Sequence, residues 1–264
     1  MRRITELGDS IVKRGIITPD KHFPLHDKAA INVVCKAIKM VKPDFYVDLG
    51  DTGEWASVSH FQWKKKKRPP LEYQLPRVYE DIKAVNEGMD IIDEALDKAK
   101  CEERYFVEGN HEQWLNNFSI ENPYLQGLSV EEALLLKQRG YEYYPNGKYL
   151  KIGHLHFYHG NHFGGIAHAR NHLLRLGCNV MYGHHHDLQM ASVTHIDGPK
   201  SAWSIGCLKD MSDEANAWLN NRKTNWAHAF AIVDYYTDDR FTVHVVNIID
   251  GITSLWGKII DGNE

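Results

Sequence analysis

Five short groups of metal-binding residue types follow apolar runs in this chain of 264 residues. They are Asp20-Lys-His22, Gly50-Asp51, Gly109-Asn110-His111-Glu112, His159-Gly160 and Gly183-His184-His185-His186. Hard divalent cations prefer carboxylate and amide oxygens, and borderline cations also accept imidazole nitrogen. A mixed set of this kind suits two metal ions acting together on a phosphate group. The sequence therefore predicts one dinuclear metal site.

The side chains in these groups have different expected roles. Asp51 follows a glycine that allows a sharp turn, and its carboxylate can offer one oxygen to each of two ions, so we predict that it bridges them. Asn110 supplies a neutral amide oxygen. His159, His184 and His186 complete the ligand shells. An isolated Asp-x-His pair would be a weak signal, and the prediction depends on the whole set.

The groups must be positioned by strands, because each one falls where an apolar β-like run ends. Short strands are predicted at residues 14–18, 45–47, 105–107, 155–158 and 180–182. Helices are predicted over residues 27–41 with Asp27 as N-cap, 77–100, 129–140 with Ser129 and Glu132 as a capping box, and 166–176. Four further strand-like segments fill the back half of the chain.

This order of elements predicts an α/β fold. Parallel βαβ units come first and antiparallel strands later, which favours a four-layer α/β/β/α sandwich of two mixed sheets flanked by helices. The metal site then lies at the carboxyl ends of the strands. We expect residues 1–264 to form a single domain, because 43% hydrophobic residues are enough for a full core and no linker or repeat is evident.

Composition narrows the class of protein. No segment is apolar for long enough to span a bilayer and no signal peptide is evident, so a cytoplasmic protein with no membrane partner is expected. Four widely spaced cysteines favour ordinary thiols over a zinc ribbon or disulfide framework. The net charge of -4 argues against a generally basic nucleic-acid-binding surface. Sixteen histidines are the unusual feature, since histidine is the commonest nitrogen ligand for metals.

The five groups resemble, in order, the DxH, GDxxD, GNH(D/E), H and GHxH motifs of the calcineurin-like metallophosphoesterases. The match runs from residue 20 to residue 186. Two later segments, 204–208 and 226–230, resemble less specifically parts of uncharacterised phage and bacterial members. A viral member would act in the host cytoplasm.

The resemblance implies two ligand sets and a separate catalytic histidine. The first metal is expected on Asp20, His22, Asp51 and His186, and the second on Asp51, Asn110, His159 and His184. His111 is then not a ligand. It is expected to face the scissile phosphate and either stabilise an equatorial oxygen or protonate the leaving group, while a hydroxide that bridges the metals attacks in line.

The second motif departs from the family pattern at two positions. Glu54 stands where the family has a second aspartate that orients the catalytic histidine, and we expect its carboxylate to accept a hydrogen bond from His111. Trp55 stands where the phosphoprotein phosphatases have an arginine that grips the phosphate. This difference counts against that branch of the family.

A basic aromatic segment from Trp55 to Tyr73 is predicted to be a loop insertion beside the second motif. Its candidate substrate-binding residues are Trp63, Lys64, Lys65, Lys66, Lys67 and Arg68. Aromatic and basic side chains together suit single-stranded nucleic acid, because bases stack on rings and lysines contact phosphates. A solvated loop whose lysines only aid solubility is an equal alternative.

Four polar residues follow the fourth motif without a place in it: His162, His168, Arg170 and His172. His168 and His172 are four apart on one helix face. These four residues could contact a bound phosphate or a further metal. The alternative is that they only support neighbouring loops or lie at the surface. His185, between two predicted ligands, is expected to point away from the metals.

The sequence thus predicts a metal-dependent phosphoric ester hydrolase that cleaves phosphodiester bonds of nucleic acid or nucleotides, a nuclease or phosphodiesterase. Manganese is the expected ion, with iron, zinc, magnesium, nickel and cobalt as alternatives. A phosphomonoesterase, including a phosphoprotein phosphatase, is the alternative activity. A non-catalytic metal-binding scaffold is a more remote one, because every ligand position and His111 are present. The oligomeric state is not predicted.

Overall fold

A six-stranded mixed sheet carries the first three motifs. The computed structural model describes residues 13–64 and 66–264. The strands of this sheet are β1 (Lys13–Thr18), β2 (Phe45–Asp48), β3 (Glu103–Val107), β4 (Tyr141–Tyr144), β10 (His228–Tyr235) and β11 (Phe241–Ile248). Their order is β11-β10-β1-β2-β3-β4. Strands β1 to β4 pair in parallel, so the loops after β1, β2 and β3 leave from one edge.

A five-stranded sheet carries the last two motifs. Its strands are β5 (Leu150–Ile152), β6 (Leu155–Phe157), β7 (Asn179–Tyr182), β8 (Leu188–His195) and β9 (Gly198–Ile205), in the order β5-β6-β7-β9-β8. Strands β6, β7 and β9 are parallel, and their carboxyl ends form one edge. The remaining strands, β12 (Ile252–Leu255) and β13 (Lys258–Asp261), form a hairpin that packs on the first helix.

Helices cover the outer faces. They are α1 (Lys28–Val41), α2 (His60–Trp63), α3 (Leu71–Ala99), α4 (Asn110–Glu121), α5 (Val130–Ala133) and α6 (His168–Leu176). One apolar core lies between α1, α3 and the first sheet, and a second lies between the two sheets. Helix α6 packs on the second sheet. The predicted four-layer arrangement of two mixed sheets flanked by helices is confirmed.

Local sequence explains where α1 begins. The Asp27 carboxylate accepts a hydrogen bond from the Ala30 N–H at 2.7 Å, which is the N-cap predicted from the sequence. The buried face of the helix then follows its apolar residues from Ala30 to Val41. Because Lys42 adopts a left-handed conformation, the chain leaves the helix there and enters β2.

Strands β4, β12 and β13 were not predicted, and three helices differ from the predictions. Helix α3 begins at Leu71 instead of residue 77, with Pro76 inside its second turn. Helix α5 ends at Ala133, because Leu135 adopts a left-handed conformation that an α-helix cannot contain. Helix α4 was not predicted. It begins at Asn110, directly within the third motif.

The segment from Trp55 to Tyr73 is more ordered than a loop insertion. Trp55 is fully buried and belongs to the core between the helices and the first sheet. A 3-10 helix at Ala56–Val58, helix α2 and the start of α3 follow. Ser57 fixes the segment, because its N–H and hydroxyl both donate to Asp81, at 2.9 and 2.6 Å. The predicted loop is therefore wrong for most of its length.

All four cysteines lie among the described residues and are free thiols. Over residues 13–64 and 66–264, no helix combines the length and apolar character needed to cross a bilayer.

Candidate metal centre

The loops after five parallel strands bring the predicted ligands together. Three groups of donor atoms form here, each with its members within 4.8 Å of one another. Two of them match the predicted ligand sets, Asp20 with His22 and His186, and Asp51 with His159 and His184, and the third joins His111 to His22 and Asp51. Each predicted ligand set contains one of these groups. The side-chain oxygen of Asn110 lies 2.9 Å from His159 Nε2 and so joins the second group. Whether each group holds an ion stays a prediction.

The backbone of these loops is strained. His22, Asp51, His184 and His186 all have positive φ, between 46° and 63°. This conformation costs roughly 1–3 kcal/mol for a residue other than glycine, and such strain concentrates at functional sites. The surrounding hydrogen bonds hold it in place. The His184 N–H donates to Asp20 at 2.9 Å, and the His111 N–H donates to Asp51 at 2.9 Å.

Two glycines are required by close approach of these loops. Gly50 has a φ of +85°, and a Cβ there would lie 2.4 Å from the backbone nitrogen of Gly109. A Cβ on Gly183 would lie 2.0 Å from an oxygen of Asp20. The glycines of the second and fifth motifs thus let loops from different strands touch.

Backbone carbonyls fix two imidazole rings. His159 Nδ1 donates to the Leu49 carbonyl at 2.9 Å, which turns Nε2 towards Asp51. His111 Nδ1 donates to the Glu54 carbonyl at 2.8 Å, which leaves its Nε2 towards the centre, 3.9 Å from Asp51 Oδ2. Outer hydrogen bonds of this type set the tautomer and orientation of metal-site histidines.

The Glu54 carboxylate makes a different contact from the one predicted. It lies 2.8 Å from His22 Nδ1 and 2.7 Å from Lys209 Nζ. The expectation that this carboxylate accepts from His111 is wrong, because the backbone carbonyl of the same residue does so. Since glutamate is one methylene longer than aspartate, its carboxylate extends past His111 to the first ligand loop.

Lys209 was missed by sequence reasoning. It is buried, and it follows β9, whose carboxyl end lies at the same edge as those of β6 and β7. The sequence offered one signal, because the segment 204–208 directly before it resembles parts of uncharacterised phage and bacterial members. A lysine at a strand exit is usually exposed, so only its buried pairing with Glu54 reveals its place.

Glu112 holds the second and third motifs together. Its carboxylate accepts from the N–H groups of Asp51 at 2.7 Å, Gly53 at 3.0 Å and Gly109 at 3.1 Å, and from Trp55 Nε1 at 3.0 Å. Burial, with the nearby charge of Asp51, raises the pKa of Glu112 to about 7. Trp55 is therefore a buried donor to this carboxylate and does not face substrate.

A buried ion pair supports the loops from behind. Lys21 Nζ lies 2.8 Å from Asp48 Oδ1, and both side chains are shielded from solvent. The same oxygen accepts from the Gly50 N–H at 3.0 Å and the Thr52 hydroxyl at 2.8 Å. Lys21 therefore connects the first motif to the turn of the second.

The charges and the burial in the centre shift the pKa values of its histidines in opposite directions. Burial alone would raise the pKa of Asp51, but His159 and His111 lower it well below its usual range. Burial alone would lower the pKa of His159, but Asp51 and Asp20 raise it to about 10. Burial lowers the pKa of His22 to about 4 and that of His184 to about 3. Without metal, His159 is therefore the protonated imidazole at neutral pH.

Most of the predicted substrate-binding residues are exposed to solvent, unlike the predicted ligands. Lys64, Lys66, Lys67 and Arg68 are exposed, and Arg68 pairs with Glu121. Trp63 is half-buried with Nε1 3.4 Å from the Ser57 carbonyl. Lys65 lies outside the described residues. The exposed ring beside the centre is instead that of Phe61, which contacts Trp114.

Comparison with known proteins supports the fold. No family model matches the chain. It is 22% identical over 269 residues to Gene 54 protein of Mycobacterium phage L5, covering 94% of this chain and 98% of that protein. Among solved structures it is similar to a single mutant of Vps29 from Entamoeba histolytica, with a TM-score of 0.50, 14% identity, and coverage of 94% and 98%.

Two further structures show weaker similarity. Wild-type Vps29 from Entamoeba histolytica complexed with zinc has a TM-score of 0.47, 14% identity, and coverage of 95% of this chain and 99% of that one. A phosphoesterase from E. coli has a TM-score of 0.39, 14% identity, and coverage of 89% and 100%. With two packed mixed sheets flanked by helices, the chain shares the fold of Vps29, and the fold class predicted from the sequence is confirmed.

Proposed function

We propose that this protein is a phosphodiesterase that uses two divalent metal ions to hydrolyse phosphodiester bonds of nucleic acid or nucleotides. The observation that carries the proposal is the spacing of the buried donor atoms. His22 Nε2 and His186 Nε2 are 3.1 Å apart, and His159 Nε2 is 3.1 Å from His184 Nδ1. Imidazole nitrogens that face one another at this distance need a proton or a cation between them.

The donor set fits divalent cations. His186 Nε2 lies 3.1 Å from Asp20 Oδ2, and His159 Nε2 lies 3.2 Å from Asp51 Oδ2. Atoms that share one cation at 2.0–2.2 Å are about 3 Å apart. His186 Nδ1 is buried without a partner, so this ring is held chiefly through Nε2. Asp20, His22, Asp51 and His186 would hold one ion, and Asp51, Asn110, His159 and His184 the other.

The ligand types favour manganese or another borderline metal. Four imidazoles are unusual for magnesium, which prefers oxygen, while manganese, iron, zinc, nickel and cobalt accept mixed nitrogen and oxygen shells. Two such cations, when bound, lower the pKa of water and offset the charge of a phosphate.

His111 is the residue placed to act on the phosphate. Its Nδ1 is committed to the Glu54 carbonyl, and its ring lies against Trp114 with centroids 3.9 Å apart. These contacts leave Nε2 to donate to a phosphate oxygen or to give a proton to the leaving alkoxide. General acid catalysis of this kind contributes roughly 10²–10⁴-fold.

The test is hydrolysis of bis(p-nitrophenyl) phosphate and p-nitrophenyl phosphate by purified protein with Mn²⁺. We expect metal-dependent cleavage with a preference for the diester. His111→Asn should reduce kcat by roughly 10²–10⁴-fold while metal binding stays intact. Preference for the monoester would support the phosphomonoesterase alternative. Full activity of His111→Asn, or no cleavage of either ester by the unaltered protein, would refute the proposal.

A further inference from the structure

A continuous row of aromatic rings crosses the metal centre and ends in exposed side chains on both sides. Its members are, in order, Phe61, Trp114, His111, His22, His186, Trp226 and Trp218. Successive ring centroids are 5.8, 3.9, 4.6, 5.0, 4.7 and 6.2 Å apart. We call Phe61 with Trp114 the first arm, and Trp226 with Trp218 the second arm. Of these seven residues, only His111, His22 and His186 belong to the predicted centre.

The ends of the arms are open to solvent. Phe61 is 68% exposed and Trp218 is 61% exposed. Both rings flank the candidate phosphate site, so a bound substrate could reach them. Trp114 and Trp226 are half-buried, so they connect each exposed ring to the centre.

Both arms are anchored. The segment that carries Phe61 is fixed by the two hydrogen bonds from Ser57 to Asp81, and Gln74 Nε2 donates to the Ser57 carbonyl at 2.8 Å. On the other side, Trp226 forms a β-bridge with Asp187. The N–H of its neighbour Ala227 donates to the His186 carbonyl at 2.9 Å. The rings are therefore presented by ordered backbone.

Positive side chains follow the exposed ring of each arm. Lys64, Lys66 and Lys67 come after Phe61, and Arg222 and Lys223 come after Trp218, all of them exposed. The chain as a whole carries a net charge of -4, so these basic side chains are local exceptions to its overall negative charge. Aromatic rings for bases and cations for phosphates are the combination that binds single-stranded nucleic acid.

We propose that single-stranded nucleic acid lies across the metal centre with one base stacked on each arm, so that an internal phosphodiester is presented to the metals. This inference rests on the proposed function and names its substrate class. A paired duplex does not fit, because its bases are stacked on one another and are not free to contact both arms. A mononucleotide would occupy one arm only.

The experiment compares three substrates with Mn²⁺. Methyl p-nitrophenyl phosphate has no base, thymidine 5′-(p-nitrophenyl phosphate) has one, and a short single-stranded oligodeoxynucleotide spans both arms. Phe61→Ala and Trp218→Ala should each raise KM for the oligonucleotide by roughly five- to a hundredfold, the effect of losing one stacked base. The kcat/KM for the methyl ester should stay unchanged. Phe61→Tyr and Trp218→Tyr keep an aromatic ring, so their KM for the oligonucleotide should be close to that of the unaltered protein.

Trp256→Ala is the matched control. Trp256 is 52% exposed and stacks on Arg14, outside both arms. Its removal should change KM for none of the three substrates. Thermal unfolding of each variant verifies that the fold is kept.

Binding of a fluorescein-labelled oligonucleotide, measured by anisotropy without hydrolysis, separates the two proposals. If the unaltered protein cleaves no ester but Phe61→Ala and Trp218→Ala weaken binding, the proposed function fails and the stacking inference stands. If esters are cleaved but both variants bind and cleave the oligonucleotide as the unaltered protein does, the stacking inference fails alone. Equal binding of duplex and single strand would also overturn it.

Discussion

Histidines gather at two neighbouring places in this protein, and different atoms face their ring nitrogens. In the candidate metal centre, His22 faces His186 and His159 faces His184. His186 also faces the carboxylate of Asp20, and His159 that of Asp51. In a second group, which we call the histidine cluster, His168, His172 and His185 lie close enough to hold an ion by distance alone.

The histidine cluster is satisfied by protein atoms. His168 contacts the Tyr182 hydroxyl at 2.8 Å through Nδ1 and Asp187 at 2.9 Å through Nε2. His172 contacts the carbonyls of His168 at 2.7 Å and Gly160 at 3.1 Å. His185 Nε2 contacts the Phe163 carbonyl at 3.1 Å, and its ring stacks on His168.

The partners of a histidine, and not its proximity to other histidines, distinguish a ligand from a supporting residue. His168 and His172, which the sequence left open between a further metal and support, pack behind the fifth motif as a hydrogen-bonded layer. The expectation that His185 points away from the centre agrees with its stacking on that layer.

The largest effect is expected when a central ligand is removed. Asp51→Asn should weaken Mn²⁺ binding by more than about a hundredfold, because even residues behind the ligands contribute 10–100-fold. Isothermal titration calorimetry measures this. His168→Gln is the control in the histidine cluster and should keep both affinity and stoichiometry. If it loses an ion, the distinction between the two groups is wrong.

His172→Ala should instead reduce stability. The ring is buried and stacks on Tyr182, so its removal should lower the free energy of unfolding by about 2–4 kcal/mol. Urea unfolding of the metal-free protein measures it, with His162→Ala as an exposed histidine control. Unchanged stability of His172→Ala, or loss of metal binding with intact stability, would contradict a supporting role.

Lys209→Met tests the layer behind the metal centre. Losing the 2.7 Å pair frees the Glu54 carboxylate that holds His22, so Mn²⁺ affinity should fall by about tenfold. Lys200→Met removes a more exposed pair with Asp197 and should have no such effect in the same titration. Equal affinities of the two variants would show that Lys209 does not position the ligand.

The pH dependence of metal binding also distinguishes the candidate metal centre from the histidine cluster. In the metal-free protein, Asp51 and Asp20 outweigh burial and raise the pKa of His159 to about 10, and this imidazole must lose its proton to bind metal. Affinity should therefore fall as the pH is lowered from 8 to 5, with at least one proton released when metal binds.

Calorimetry in buffers of different ionisation enthalpy counts the released proton. His22 and His184 add none, because burial keeps them neutral over this range. A pH-independent affinity, or metal binding without release of a proton, would refute the assignment of His159. His168→Gln should leave the count unchanged.

Local patterns predicted most of the elements, because each depends on neighbours in the chain. Asp27 and the apolar face of α1 are examples, and the strand exits carried the five motifs. Predictions failed where a distant contact decides the conformation. Trp55 looked like part of an exposed aromatic loop, yet the carboxylate of Glu112 and the core hold it inside.

The sequence by itself determined the fold class and the residues able to bind metal, because strand periodicity and ligand chemistry are properties of residue type and spacing. The tertiary structure decided which atoms face each other. Only it shows the Glu54 carboxylate beside His22 and Lys209, the Glu54 carbonyl on His111, and the protein atoms that face the nitrogens of the histidine cluster. These contacts join loops from different strands, and their geometry depends on packing between sheets that no local pattern encodes.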